Sequence, residues 1–186
     1  MPTSSTSRGE ATARIFTVFR DRGFEGATLA ELARATGLGK SSLYHYFPNG
    51  KDDMVLAVFD LLDQWLEENM VKPLQSPGTP AQRLRTILRA LDELYDGGRN
   101  ACVLGVLVVG GARERFQARL KASFKTWIGA MRDLAVEAGV ARREAQHRAE
   151  NVVIRIQGAL ILAGGLGDPE PFRRELRQVE QHLLAG

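Results

Sequence analysis

The chain has 186 residues, 44% hydrophobic and 25% charged, with a net charge of +3 and a single cysteine. That length holds one medium domain, or a small one beside a larger one, with enough apolar side chains for a real core. One cysteine excludes an intrachain disulfide framework, and so mild a charge excludes bulk electrostatics as proof of a nucleic-acid partner.

Residues 1–6 are small and polar, expected to be disordered, and MPTSSTSRGE lacks the apolar run of a secretory leader. Ser7 is placed to cap a helix running to about Arg22, on which Ala11, Ile15, Phe16, Val18 and Phe19 recur at helical spacing. Gly23 is expected to end it. Thr28 and Glu31 then stand three apart, the pattern of a capping box at a helix start. Leu29, Leu32 and Ala33 form the apolar side of this short helix, and Gly37 suits the turn that closes it. A second short helix starts near Gly39 and carries Leu43, Tyr46 and Phe47 inward until Pro48 stops it. Two short helices about a glycine turn form a helix-turn-helix. Ile15, Phe19, Phe24, Leu32, Leu38, Leu43 and Phe47 supply a small core. Residues 1–51 carry Arg8, Arg14, Arg20, Arg22, Arg34, Lys40 and Lys51 against Glu10, Asp21, Glu25 and Glu31, so this segment holds the whole excess of positive charge.

A long helix over about 51–70 follows, its apolar face (Met54, Val55, Val58, Leu61, Leu62, Trp65, Leu66) wider than the small unit can cover. It is expected to belong to both domains. Pro73, Pro77, Gly78 and Pro80 predict a loop. The pattern then predicts a helix over 81–95 closed by Gly97 and Gly98, a short buried helix in NACVLGVLVVGG, a long amphipathic helix over 113–138, and two last helices over 145–164 and 171–184. The Val-rich NACVLGVLVVGG could also be a strand, but nothing else in the chain would pair with it. The pair Gly110 and Gly111 predicts close helix packing. The fold class is all-α, with about nine helices and a domain boundary near residue 50. The longest apolar runs, 100–112 and 156–167, are shorter than the roughly 20 residues of a bilayer span. A soluble, cytoplasmic protein with no membrane contact is expected.

The outward side of the second motif helix holds Lys40, Ser41, Tyr44 and His45, a donor-rich set suited to phosphates and base edges. This stretch resembles the DNA-binding domain of the TetR family of bacterial transcriptional regulators: Thr28, Leu32, Ala33, Ala35, Gly37, Leu38, Leu43, Tyr44, Tyr46, Phe47 and Lys51 stand where that family's pattern puts them. The longer link Pro48-Asn49-Gly50-Lys51, with Asn100-Ala-Cys-Val-Leu-Gly105, resembles the LmrA/YxaF-like branch. The resemblance implies a DNA-binding domain over 1–50 and a ligand-binding, dimerising domain over 51–186. It further implies a homodimer on a near-palindromic double-stranded operator, released by a small effector, aromatic or drug-like in that branch. Mapped onto this chain, Lys40, Ser41 and His45 would touch base edges or phosphates, and Thr28, Ser42, Tyr44 and Lys51 would position phosphates.

Leu66, Met70, Leu104, Phe124, Trp127 and Gln157 are the candidate effector-binding residues, although large apolar side chains of this kind also serve simply as core. Asn151 and Gln157 are amides within an otherwise apolar segment and need partners if buried. The last two helices carry small residues (Gly158, Ala159, Gly164) that would let them pair with their copies. His45, His147 and His182 lie on different helices, and no metal-ligand spacing occurs, so no metal or cofactor is expected. Cys102 reads as a small buried residue before it reads as a sensing thiol. No convergent polar cluster suggests an enzyme. The competing reading is an architectural DNA binder with no inducer.

Overall fold

The computed structural model describes residues 6–185 and is all-α; no strand occurs among the described residues. Its helices are α1 (Arg8–Gly26), α2 (Leu29–Thr36), α3 (Lys40–Tyr46), α4 (Lys51–Leu66), α5 (Lys72–Leu74), α6 (Pro80–Leu94), α7 (Val103–Val109), α8 (Arg113–Glu137), α9 (Arg142–Leu166) and α10 (Glu170–Leu184). They divide into two compact units, Met1–Asp63 with Val103–Leu120, and Gln64–Cys102 with Lys121–Gly186. This packing division passes through α4 at Asp63 and through α8 at Leu120. Most of α4, all of α7 and the first turns of α8 fall in the first unit because the α4 apolar face needs cover. Met54, Val55, Val58 and Phe59 are buried there, and the Phe59 ring lies 6.1 Å from that of Phe116.

The first unit begins with three helices whose ends are set by local chemistry. Ser7 caps α1 and exchanges hydrogen bonds with Glu10, closing a capping box. The expected disorder of residues 1–5 lies outside the described residues. Thr6, also expected to be disordered, is held: its hydroxyl donates to the Thr36 carbonyl at 3.3 Å, and its own carbonyl accepts from the Tyr46 hydroxyl at 3.2 Å. Gly23 breaks α1 with φ 70°, as expected, but one further turn continues to Gly26. Ile15, Phe19, Leu32, Leu43 and Phe47 form the buried centre. Phe24, Leu38 and Tyr46, expected inside, are only half-buried. For Tyr46 the reason is its phenol, which reaches Thr6 and keeps one edge of the ring near the surface.

In the second unit two expectations need correction. The segment from Lys72 is not loop at once: α4 runs on through a π-helical stretch, Glu67–Val71, into α5. Pro73 fits there because it stands in the first turn of α5, where its missing N–H matters least. Asn151 is exposed on α9, so it needs no buried partner. α6 opens with a third capping box, Thr79 with Gln82. α9 and α10 pack through Val152, Ile156, Leu160 and Ala163 against Phe172, Val179 and Leu183, all buried. Gly98 (φ 96°) is needed where the chain meets α10, since a Cβ there would stand 2.8 Å from the Cβ of Phe172.

By length and composition alone α9 could cross a membrane. The uninterrupted apolar run is shorter than a span because Arg155 precedes it. One side of α9 is buried against α10, and the Arg155 guanidinium lies 3.6 Å from Glu175. That is the pattern of a bundle helix.

Candidate nucleic-acid interface

The interface is built by α2, the turn after it, α3 and the start of α4. The Thr28 hydroxyl accepts from the Glu31 backbone N–H at 3.2 Å and donates to the Glu31 carboxylate at 3.0 Å, while the Thr28 N–H donates to the same carboxylate at 3.1 Å. These bonds hold the Glu31 carboxyl below the usual range, the Thr28 backbone contributing most and its hydroxyl next. Thr28 is exposed, but its hydroxyl is engaged by the cap. Gly37 closes α2 at φ 71°, a left-handed conformation that suits glycine. Arg14 fixes this turn by donating to the Thr36 carbonyl at 2.8 Å.

α3 therefore stands in one orientation. Leu43 and Phe47 are buried beneath it, while Lys40, Ser41, Ser42, Tyr44 and His45 are exposed on its outer side. Among the described residues the side chains of Lys40, Ser41, Ser42 and His45 make no ion pair or hydrogen bond, so their donors face solvent. The Arg8 guanidinium lies over the Phe47 ring at 5.4 Å, bracing the far end of α3.

The Lys51 side chain is braced rather than free. Its ammonium sits 4.5 Å above the Phe24 ring. The extra link residue helps set this up: Gly50 turns at φ 64°, and Asn49 donates from its backbone and side-chain amides to Asp53 at 2.8 and 3.1 Å. An open cleft of about 400 Å3 lies here, with Tyr44, Asn49 and Lys51 on its walls beside Arg115 from α8. The motif reading missed Arg115, 64 positions further along the chain. Only the pairing of α8's first turn with α4 could have revealed it.

The candidate effector residues are spread between the two units. Leu66, Met70, Phe124, Trp127 and Gln157 belong to the second, and Leu104 to the first. Leu66, Met70 and Trp127 are buried, whereas Phe124 and Gln157 are half-buried. Trp127 Nε1 and Gln157 Nε2 are shielded from solvent without an acceptor. Gln157 stands close enough to Tyr95 to affect its ionisation, but not in hydrogen-bonding geometry. Burial pushes the Tyr95 hydroxyl well above its ordinary range, the neighbouring Cys102 thiol adds to the shift, and Gln157 opposes it. Cys102 itself is buried. A separate cleft of about 400 Å3 between α6 and α10 is walled by Leu88, Arg89, Asp92, Arg173, Leu176 and Arg177, none of them in the expected set. No cluster of metal-ligating side chains occurs among the described residues.

A short polar helix held outward on an all-helical body by a glycine turn defines the class: helix-turn-helix transcriptional regulators that bind DNA. Residues 12–58 match the family described as bacterial regulatory proteins, tetR family. Residues 80–178, more than half of the chain, match the C-terminal domain of LmrA/YxaF-like transcriptional regulators. The chain belongs to the TetR family, in its LmrA/YxaF-like branch. It is 21% identical to the HTH-type transcriptional regulator YxaF of Bacillus subtilis over 90% of this chain and 92% of that one. A TetR regulatory protein from Rhodobacter sphaeroides superposes with a TM-score of 0.76 at 25% identity, over 93% of this chain and 97% of that one. A cysteine variant of the TetR-family regulator CifR, solved in complex with a 26-bp double-strand operator DNA, gives a TM-score of 0.73 at 23% identity, covering 100% and 99%.

Proposed function

We propose that this chain is a ligand-responsive transcriptional regulator, a repressor that binds a near-palindromic operator as a homodimer and leaves it when a small aromatic or drug-like molecule binds. The carrying observation is the exposed, donor-rich side of α3 over a buried Leu43 and Phe47. Lys40, Ser41 and His45 read base edges or contact phosphates, and Thr28, Ser42, Tyr44 and Lys51 position the backbone, Thr28 through the N-terminus of α2 that it caps. The CifR operator complex supports this use of the fold. Residues 1–50 act as the DNA-binding head and 51–186 as the ligand-binding and dimerising body, in the cytoplasm, with no catalytic role.

The homodimer is supported by α9. Ile154, Ile161 and Leu166 are 65%, 76% and 64% exposed, and Gly158 and Gly165 open the same side. A monomer has no use for such an apolar stripe; a second copy would cover it. Two heads should then meet half-sites roughly 34–36 Å apart, or a multiple of that. The effector reading is supported within the second unit by the orphaned N–H donors of Trp127 and Gln157. Buried donors call for an acceptor, and a carbonyl or phenol oxygen on an aromatic ligand supplies one. Selection of bound duplexes from a random pool, followed by a small-molecule screen for release, tests both halves. A palindromic consensus with a releasing compound is the expected result. A consensus that no compound releases leaves an architectural binder, and no consensus at all overturns the reading.

A further inference from the structure

We propose that Arg115, which lies outside the helix-turn-helix, is a DNA-phosphate contact that shares one backbone-phosphate seat with Lys51. The proposal rests on the reading of α3 as the DNA-facing helix. Two cations converge on a single aromatic ring: the Lys51 ammonium 4.5 Å from the Phe24 centroid and the Arg115 guanidinium 5.8 Å from it. Both line the open cleft that Tyr44 and Asn49 also wall, and Tyr44 belongs to the exposed side of α3. A helix seated in the major groove, about 12 Å wide, has a sugar-phosphate wall on either side. Cationic groups beside that helix, on other elements, meet a wall.

Asp52 is the one carboxylate in the cleft, leaving an excess of one positive charge. Its hydrogen bond from Arg115 comes from Nη2. The guanidinium has five N–H donors in a planar fork, so Nη1 and Nε remain for a phosphate while Asp52 and the ring fix its plane. Arg115 is 55% exposed, and an exposed pair of this kind adds little to stability. The pair therefore serves to aim the side chain more than to hold the fold together.

The corner that delivers Arg115 is itself pinned. The Glu25 carboxylate fills the space beside Gly110 and Gly111, where a Cβ on either would stand 2.8 Å from it. Val106 stands 3.6 Å from where a Gly23 Cβ would be. The end of α1 and the α7–α8 turn thus fit into one another, and Phe116, the residue after Arg115, packs edge-on to Phe24 at 5.9 Å.

The test is a salt titration of duplex binding by fluorescence anisotropy, with the full chain and an operator selected from a random pool. Arg115→Gln should reduce the slope of log affinity against log salt by about one for each bound copy, equally on operator and unrelated duplex. Between 50 and 200 mM salt its affinity should thus fall about fourfold less, per copy, than that of the parent chain. Arg115→Lys keeps the charge and should restore the slope, and neither variant should shift the melting curve appreciably. An Arg115→Gln slope equal to the parent's, or a loss that Arg115→Lys fails to restore, overturns the inference alone. A parent chain that binds no duplex overturns the α3 reading and this inference with it.

Discussion

Thr28 shows how one side chain constrains both fold and interface. Its hydroxyl and backbone N–H close a capping box with Glu31, so Thr28→Ala should lower stability by about 1 kcal/mol, measured by chemical denaturation. The same box makes a pH prediction. Glu31 has a depressed folded-state pKa, so its contribution is present above the unfolded value and is lost as pH falls through the folded one. The stability gap between the parent chain and Glu31→Gln should therefore shrink on acidification below the ordinary glutamate pKa of about 4.3. A gap that stays constant down to pH 3 would show that the carboxylate is not held as described. The box was legible in the sequence because both partners lie within four residues. The engagement of Lys51 with Phe24 was not, since 27 residues separate them and the contact depends on how the end of α1 meets the start of α4.

Among the elements, those with local signals were read correctly and those set by long-range packing were not. Ser7, Gly23, Gly37, Pro48 and the amphipathic runs placed α1, α2 and α3 to within a few residues. The π-helical continuation of α4 was hidden because Pro73 is read from sequence as punctuation, yet a proline in a helix's first turn breaks nothing. The glycines of the α7–α8 turn were expected to serve helix packing, and they let the end of α1 approach by making room for the Glu25 carboxylate. Gly98 offers the sharpest test at this scale. With φ at 96° and the Phe172 side chain against it, Gly98→Ala should destabilise the chain by roughly 1–3 kcal/mol from backbone strain, with the clash added to that. A melting temperature equal to the parent's would mean that α10 does not pack on this turn.

For the whole molecule, the sequence announced a DNA-binding head through the residues of one motif, but gave no way to see that α7 and the start of α8 pack in the same unit as that head. It also left the outer side of α9 ambiguous, since Ile154, Ile161 and Leu162 fit a core stripe as well as a dimer stripe until burial is known. Their exposure is the observation that supports the proposed homodimer. Ile161→Glu should give a monomer by sedimentation equilibrium. Its operator affinity should fall on the order of 100-fold, because the second head no longer benefits from tethering. A parent chain that sediments as a monomer would remove the dimer from the account.

The central claim is that the outer side of α3 selects a DNA sequence. It is tested most directly by anisotropy titration of the parent chain and of a Lys40→Ala, His45→Ala double variant, each against the selected operator and a scrambled duplex at matched salt. The parent chain should prefer the operator, and the double variant should lose about 1–3 kcal/mol of that preference for each base contact removed. A parent chain that binds neither duplex at low ionic strength, or a double variant with its preference intact, would contradict the claim.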